Sequence, residues 1–219
     1  MEKSRIKAAF ILLAAGSARR MGKEKLLLPL AGKTPVALCA AAIAQAQTEF
    51  TQIVVAVSPA TEAEARGAFP QATLVNGGKT RVLSVKNALA AVKGADYVAI
   101  HDAARCLVTP RVIDASMDAA IAYGSGIAAI KARDTVRFDG TAIDREKVML
   151  AQTPQSFALD RIMRAYGIAD DDEATDDCTL YERAGYTPYF SEGELQNQKL
   201  TYPQDIGFFE AVIGGMKCE

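Results

Sequence analysis

Short, nearly continuous apolar runs alternate with longer stretches of helical period over the first two thirds of the chain. Residues 8–14, 53–57, 72–75, 97–100 and 127–130 form such runs, and their unbroken apolar character predicts strands covered on both faces. Between them, residues 36–46, 61–69, 82–92 and 112–123 carry apolar side chains at helical spacing. Pro35 and Pro110 stand where a first-turn proline is tolerated, because the N–H that proline lacks has no helical partner there. This alternation predicts right-handed crossovers and a doubly wound α/β fold with a mainly parallel sheet. Ligands of such sheets bind beyond the carboxyl ends of the strands, which directs attention to the loops after Leu13, Val57, Val75 and Ile100.

The rhythm breaks at residues 133–150. Asp134 to Phe138 alternate polar and apolar, Asp139-Gly140 signals a tight turn, and residues 141–145 resume an extended pattern. The pattern predicts a β-arm at about 134–150 leaving a single domain that spans residues 1–219. A lone hairpin is marginal in water, so the arm needs a surface to lie on, either its own domain or a partner subunit.

The first of these loops holds the densest chemistry. Ala14, Ala15 and Gly16 are small enough for backbone N–H groups to approach a polyphosphate, and Arg19, Arg20, Lys23 and Lys25 follow within a few residues. Cations so crowded repel one another unless an anion sits among them. The two common phosphate loops do not fit. Five residues separate Gly16 from Gly22 where a Walker loop has four, Lys23 is followed by Glu24, and Ala18 occupies the middle glycine of the dinucleotide fingerprint. Downstream, Gly77-Gly78 precedes a helix whose first turns hold Ser84, placed to bond a base or ribose. His101-Asp102-Ala103-Ala104-Arg105 ends a strand, with Asp102 the best-placed carboxylate for Mg²⁺, which takes few protein ligands and completes its shell with phosphates and water. His101 reads as a packed, hydrogen-bonded group, since a phosphate oxygen needs no base to attack.

Composition removes several classes. A net charge of −1 gives no global field for nucleic acid or an anionic membrane, so neither is an expected partner. The apolar run near the N-terminus is too short to span a bilayer. Cys39, Cys106, Cys178 and Cys218 are scattered without a CxxC pair, which suits a reducing cytoplasmic setting, and one histidine leaves too few soft ligands for structural zinc. The acidic run Asp170-Asp171-Asp172-Glu173 lacks EF-hand spacing and reads as the solvated flank of a helix N-terminus.

Gly16-Ser17-Ala18-Arg19-Arg20-Met21 with Lys25 resembles the signature of sugar-phosphate and polyol-phosphate nucleotidyltransferases, and the stretch from Lys25 to Gly32 alone equally resembles molybdopterin cytidylyltransferases. Taken in order with His101 to Arg105, Arg133-Asp134-Thr135, Asp144-Arg145, Gln152-Thr153-Pro154-Gln155, Thr175-Asp176-Asp177 and Asn197 to Asp205, the set resembles the 2-C-methyl-D-erythritol 4-phosphate cytidylyltransferases of isoprenoid synthesis. The resemblance implies a fold of nucleotide-diphospho-sugar transferase type and transfer of CMP from CTP to a small polyol phosphate, assisted by Mg²⁺. It implies Arg20, Lys25, Arg145 and Lys199 as catalytic groups; Ala14, Ala15, Gly16, Gly78, Ser84, Asp102 and Ala103 as the nucleotide site, Asp102 also holding the metal; and Thr135, Arg145, Thr153 and Thr175 as the acceptor site. It further implies a homodimer joined through the arm. Two departures stand out: Cys106 replaces a usual proline, and the arm is shorter than is common. Relatives acting on another acceptor such as ribitol 5-phosphate, and a non-catalytic nucleotide-binding relative, are the alternatives.

Overall fold

A computed structural model of the chain describes residues 6–16, 24–168 and 174–215. The strands are β1 (Ala8–Ala14), β2 (Phe50–Val57), β3 (Thr73–Asn76), β4 (Tyr97–Asp102), β5 (Ser125–Lys131), β6 (Arg137–Phe138), β7 (Thr141–Ala142), β8 (Met149–Ala158) and β9 (Phe190–Glu192). Seven of them form one sheet in the order β3-β2-β1-β4-β8-β5-β9, in which β8 alone runs antiparallel to its neighbours.

β1 shows why its sequence lacks polar alternation. Ala8, Phe10, Leu12 and Ala14 enter one core while Ala9 and Ile11 enter another, so both faces of the strand are dry. The first core is closed by α1 (Pro35–Gln45), α2 (Glu62–Ala68), α4 (Pro110–Tyr123) and α7 (Asp205–Gly215). The second is closed by α3 (Arg81–Ala91), α5 (Leu159–Ile168) and α6 (Asp177–Arg183). Helices on both faces of one sheet are the doubly wound arrangement expected from the alternation. Side-chain caps fix where the helices begin: Thr34 Oγ1 accepts from Ala37 N at 3.1 Å and Thr80 Oγ1 from Leu83 N at 3.1 Å. Pro35 and Pro110 occupy the first helical positions, and α4 ends on Gly124 at φ +90°, a conformation that glycine adopts without a Cβ penalty.

β8 is the element that local pattern did not reveal. Its ladder with β5 passes from Ile127–Gln155 directly to Ala129–Ala151, leaving Gln152, Thr153 and Pro154 outside regular pairing. A proline, having no N–H to donate, sits in a central strand only at such a break. The break also turns Thr153 toward the end of β4, where its hydroxyl accepts from Asp102 N at 3.1 Å.

The arm is smaller than its sequence predicts. β6 and β7 hold two residues each around a turn with Asp139 at φ +48° and Gly140 at φ +78°, and every residue of the pair is exposed. The extended pattern predicted for 141–145 stops at Ala142. Arg145–Lys147 forms a 3₁₀ turn instead, because the Asp144 side chain accepts from Glu146 N at 3.2 Å and draws the chain into it. The acidic run 170–173 lies outside the described residues. α6, which follows it, takes its cap from Asp176, whose Oδ1 accepts from Thr179 N at 3.0 Å. Among the described residues no helix is long and apolar enough to cross a membrane.

Candidate active site

At the carboxyl ends of β1 and β4 the sheet opens into a cleft of about 630 Å³. Ala15, Gly16, Lys25, Gly78, Ser84, Asp102 and Lys199, separated by up to 184 positions in sequence (199 − 15), line it together with Lys79, Thr80, Arg81 and Ala104. The convergence follows from topology: parallel β1 and β4 end side by side, and the loops leaving them face one space. Arg20 lies outside the described residues.

Backbone and side chain cooperate at the Gly77-Gly78 turn. A Cβ on Gly78 would fall 2.2 Å from Leu83 Cβ and 2.9 Å from Leu83 C, so only glycine lets this loop fold back onto α3. Ser84 is buried, donating to Thr80 O at 2.9 Å and accepting from Gly78 N at 3.0 Å. Its hydroxyl proton is therefore engaged within the loop. Ser84 shapes the turn, and only its oxygen remains to accept from a ligand.

Asp102 is the electrostatic centre. Lys199 Nζ donates to its Oδ2 at 2.6 Å and Arg81 Nε to its Oδ1 at 3.1 Å. Burial opposes the charged carboxylate, but Arg81, then Lys199 and Arg105, outweigh it and hold Asp102 well below the usual carboxylate range. Lys25 Nζ donates to Leu200 O at 2.9 Å, which fixes it next to Lys199. The late segment is itself anchored: Leu200 N donates to Ala104 O at 2.8 Å, Arg105 Nη1 to Asn197 O at 2.9 Å, and the fully buried Asn197 Nδ2 to Thr153 O at 2.8 Å. Arg105 Nε is buried without a hydrogen-bond partner among the described residues.

His101 is fully buried behind Asp102, and burial is the main cause that pushes its imidazole down to about 4. A neutral ring carries one proton. Arg105 O, 3.3 Å from Nε2, can only accept, so that proton is on Nε2; Nδ1 then accepts from the Thr153 hydroxyl at 3.0 Å. His101 and Thr153 thus hold the Asp102 backbone in place, and neither is on the cleft wall.

The remaining predicted site residues divide by position. Ala14 and Ala103 are fully buried in the first core, Ala14 O accepting from Thr61 Oγ1 at 2.8 Å and Ala103 N donating to Leu13 O at 3.1 Å; their neighbours Ala15 and Ala104 take the places on the cleft wall. Thr135 and Arg145 are exposed on the arm, Arg145 Nη1 donating to Arg133 O at 3.1 Å, and Thr175 is exposed before α6. None of the three lines this cleft. Cys106 is buried, and burial pushes its thiol up to about 12, so it packs rather than reacts. Sequence reasoning gave no role to Arg81, although its place directly after Gly77-Gly78-Lys79-Thr80 was a signal, or to Asp177, whose partner lies 96 positions away.

Among the described residues no group of three or more His, Cys, Asp or Glu gathers to cage a metal. A divalent ion held by one carboxylate and completed by phosphates fits Asp102, provided Lys199 yields Oδ2.

A doubly wound sheet whose strand ends gather a glycine turn, two lysines and one aspartate in a single cleft suits a nucleotidyltransferase. The sequence profile of the 2-C-methyl-D-erythritol 4-phosphate cytidylyltransferases matches residues 8–215. The protein of that name from Geobacillus kaustophilus is 36% identical, over 95% of this chain and 98% of its own. That from Parasynechococcus marenigrum is 37% identical, over 93% and 96%. The crystal structure of the Thermus thermophilus protein superimposes with a TM-score of 0.79 at 28% identity, over 93% of this chain and 98% of that one. The chain belongs to the 2-C-methyl-D-erythritol 4-phosphate cytidylyltransferase family.

Proposed function

We propose that this protein transfers CMP from CTP to 2-C-methyl-D-erythritol 4-phosphate, releasing pyrophosphate and forming 4-diphosphocytidyl-2-C-methyl-D-erythritol. The observation that carries the reading is the convergence of Lys25, Lys199 and Asp102 with the Gly77-Gly78 turn on one cleft. An acceptor phosphate oxygen attacks the α-phosphorus in line, and pyrophosphate departs. The oxygen is already anionic, so no protein base or nucleophile is needed. Lys25, Lys199 and Arg20 oppose the charge that builds on phosphorus and the leaving group, while Gly78 and Ser84 border the space for base and ribose. Asp102 would hold Mg²⁺, which when bound screens the phosphate oxygens from one another.

The test is pyrophosphate release from CTP, beside ATP, GTP and UTP, with methylerythritol phosphate and with ribitol 5-phosphate as acceptors. Turnover only with CTP and methylerythritol phosphate is expected; a preference for ribitol phosphate reassigns the acceptor, and none with either refutes the reading. Removal of Mg²⁺ by chelation abolishes turnover on this account. The exposed arm, with Phe138 74% exposed, supports a homodimer in which Thr135 and Arg145 serve the partner's cleft; equilibrium sedimentation reads that directly. A cytoplasmic location accords with the three buried thiols at Cys39, Cys106 and Cys178.

A further inference from the structure

Arg81 opens α3 and reaches two carboxylates at once. Nε donates to Asp102 Oδ1 at 3.1 Å, while Nη1 and Nη2 donate to Asp177 Oδ1 and Oδ2 at 2.9 and 2.7 Å. Asp177, the first residue of α6, is fully buried, and its Oδ1 also accepts from the Tyr166 hydroxyl on α5. A fork of two parallel bonds fixes the plane of a guanidinium as well as its position. The Arg81–Asp177 ion pair, with the Asp177 side chain fully buried, also opposes the pull that an incoming triphosphate would exert on Arg81.

We propose that Asp177, buttressed by Tyr166, is a positioning residue for phosphoryl transfer. It clamps Arg81 so that the guanidinium stays on Asp102 Oδ1 when nucleotide enters, leaving Oδ2 as the one oxygen that exchanges Lys199 for another partner. Lys199 is thereby released toward the phosphate while Asp102 keeps its orientation. The assignment rests on reading the cleft as the transfer site. A mere staple between α3 and α6 would need neither the Asp102 contact nor a guanidinium on the cleft wall, and both are present.

The experiment compares Asp177→Asn, Tyr166→Phe, Arg81→Gln and the Arg81→Gln/Asp177→Asn double variant with wild type, by pyrophosphate release and thermal melting. Asp177→Asn is expected to lower kcat by about 30-fold with KM for CTP changed less than about threefold, the scale expected for a misplaced group. Tyr166→Phe is intermediate, and Asp177→Asn adds less than about twofold in the Arg81→Gln background because the two act as one unit. A structural staple would lower the melting temperature and leave kcat of the folded enzyme unchanged, with the coupling between the two residues confined to stability. Folded Asp177→Asn enzyme with wild-type kcat overturns the proposal. If that variant does not fold, Tyr166→Phe, which loses only a hydroxyl, decides the matter the same way. A wild-type protein that releases no pyrophosphate refutes the reading of the cleft instead, so the two failures are distinguishable.

Discussion

His101 makes the folded protein sensitive to mild acid, by an amount that its surroundings set. The imidazole is fully buried between Thr153 and the Arg105 carbonyl, with the Asp102 carboxylate favouring its protonation and the Arg105 guanidinium opposing it. Burial decides the balance, so the folded ring titrates near 4, whereas in the unfolded chain it titrates near the ordinary 6.5. Between these values the unfolded chain holds a proton that the folded one refuses. Stability therefore falls as pH falls through that window, and the contribution is complete only above it. Going from pH 7 to pH 5, linkage gives a loss of about 2 kcal/mol from this residue alone. The assay is urea unfolding of the wild type and His101→Asn at both pH values. The variant loses hydrogen bonds and starts lower, but its stability should decline about 2 kcal/mol less over the interval, since asparagine does not titrate there. Parallel declines would mean that the ring is protonated inside the fold or exchanges freely with solvent, and the account of a neutral His101 would be wrong.

Two further outcomes follow from the cleft and the core. Lys25→Ala should lower kcat by about 10²–10³-fold while changing CTP affinity far less, because its charge opposes charge that develops only during transfer; near-normal turnover contradicts that role. Gly126→Ala places a Cβ 2.0 Å from the Ser116 carbonyl oxygen, and the backbone shift this forces should cost about 2 kcal/mol in urea unfolding with kcat unchanged well below the melting temperature.

Much of the fold was legible because its signals are local. The apolar runs ending at Ala14, Val57 and Ile100, and the helices opened by Pro35 and Pro110, depend on neighbours within a few residues. So does the richness of the loops in glycine and cations, from which a phosphate site could be expected before any strand was placed. The arm was read too long because the Asp144 side chain competes with extension, a side-chain contact that binary pattern does not record.

What only the tertiary structure decided are pairings across long separations. Whether Gln152 to Phe157 formed a central antiparallel strand depended on β4 and β5 presenting open edges on either side, and the break that aims Thr153 at Asp102 exists only in that pairing. Arg81 finds Asp177 across 96 positions, and Lys199 finds Asp102 across 97. A lone sequence shows the charge and reach of each side chain, but a buried ion pair depends on which two loops the folded sheet brings together and how completely it excludes water from between them.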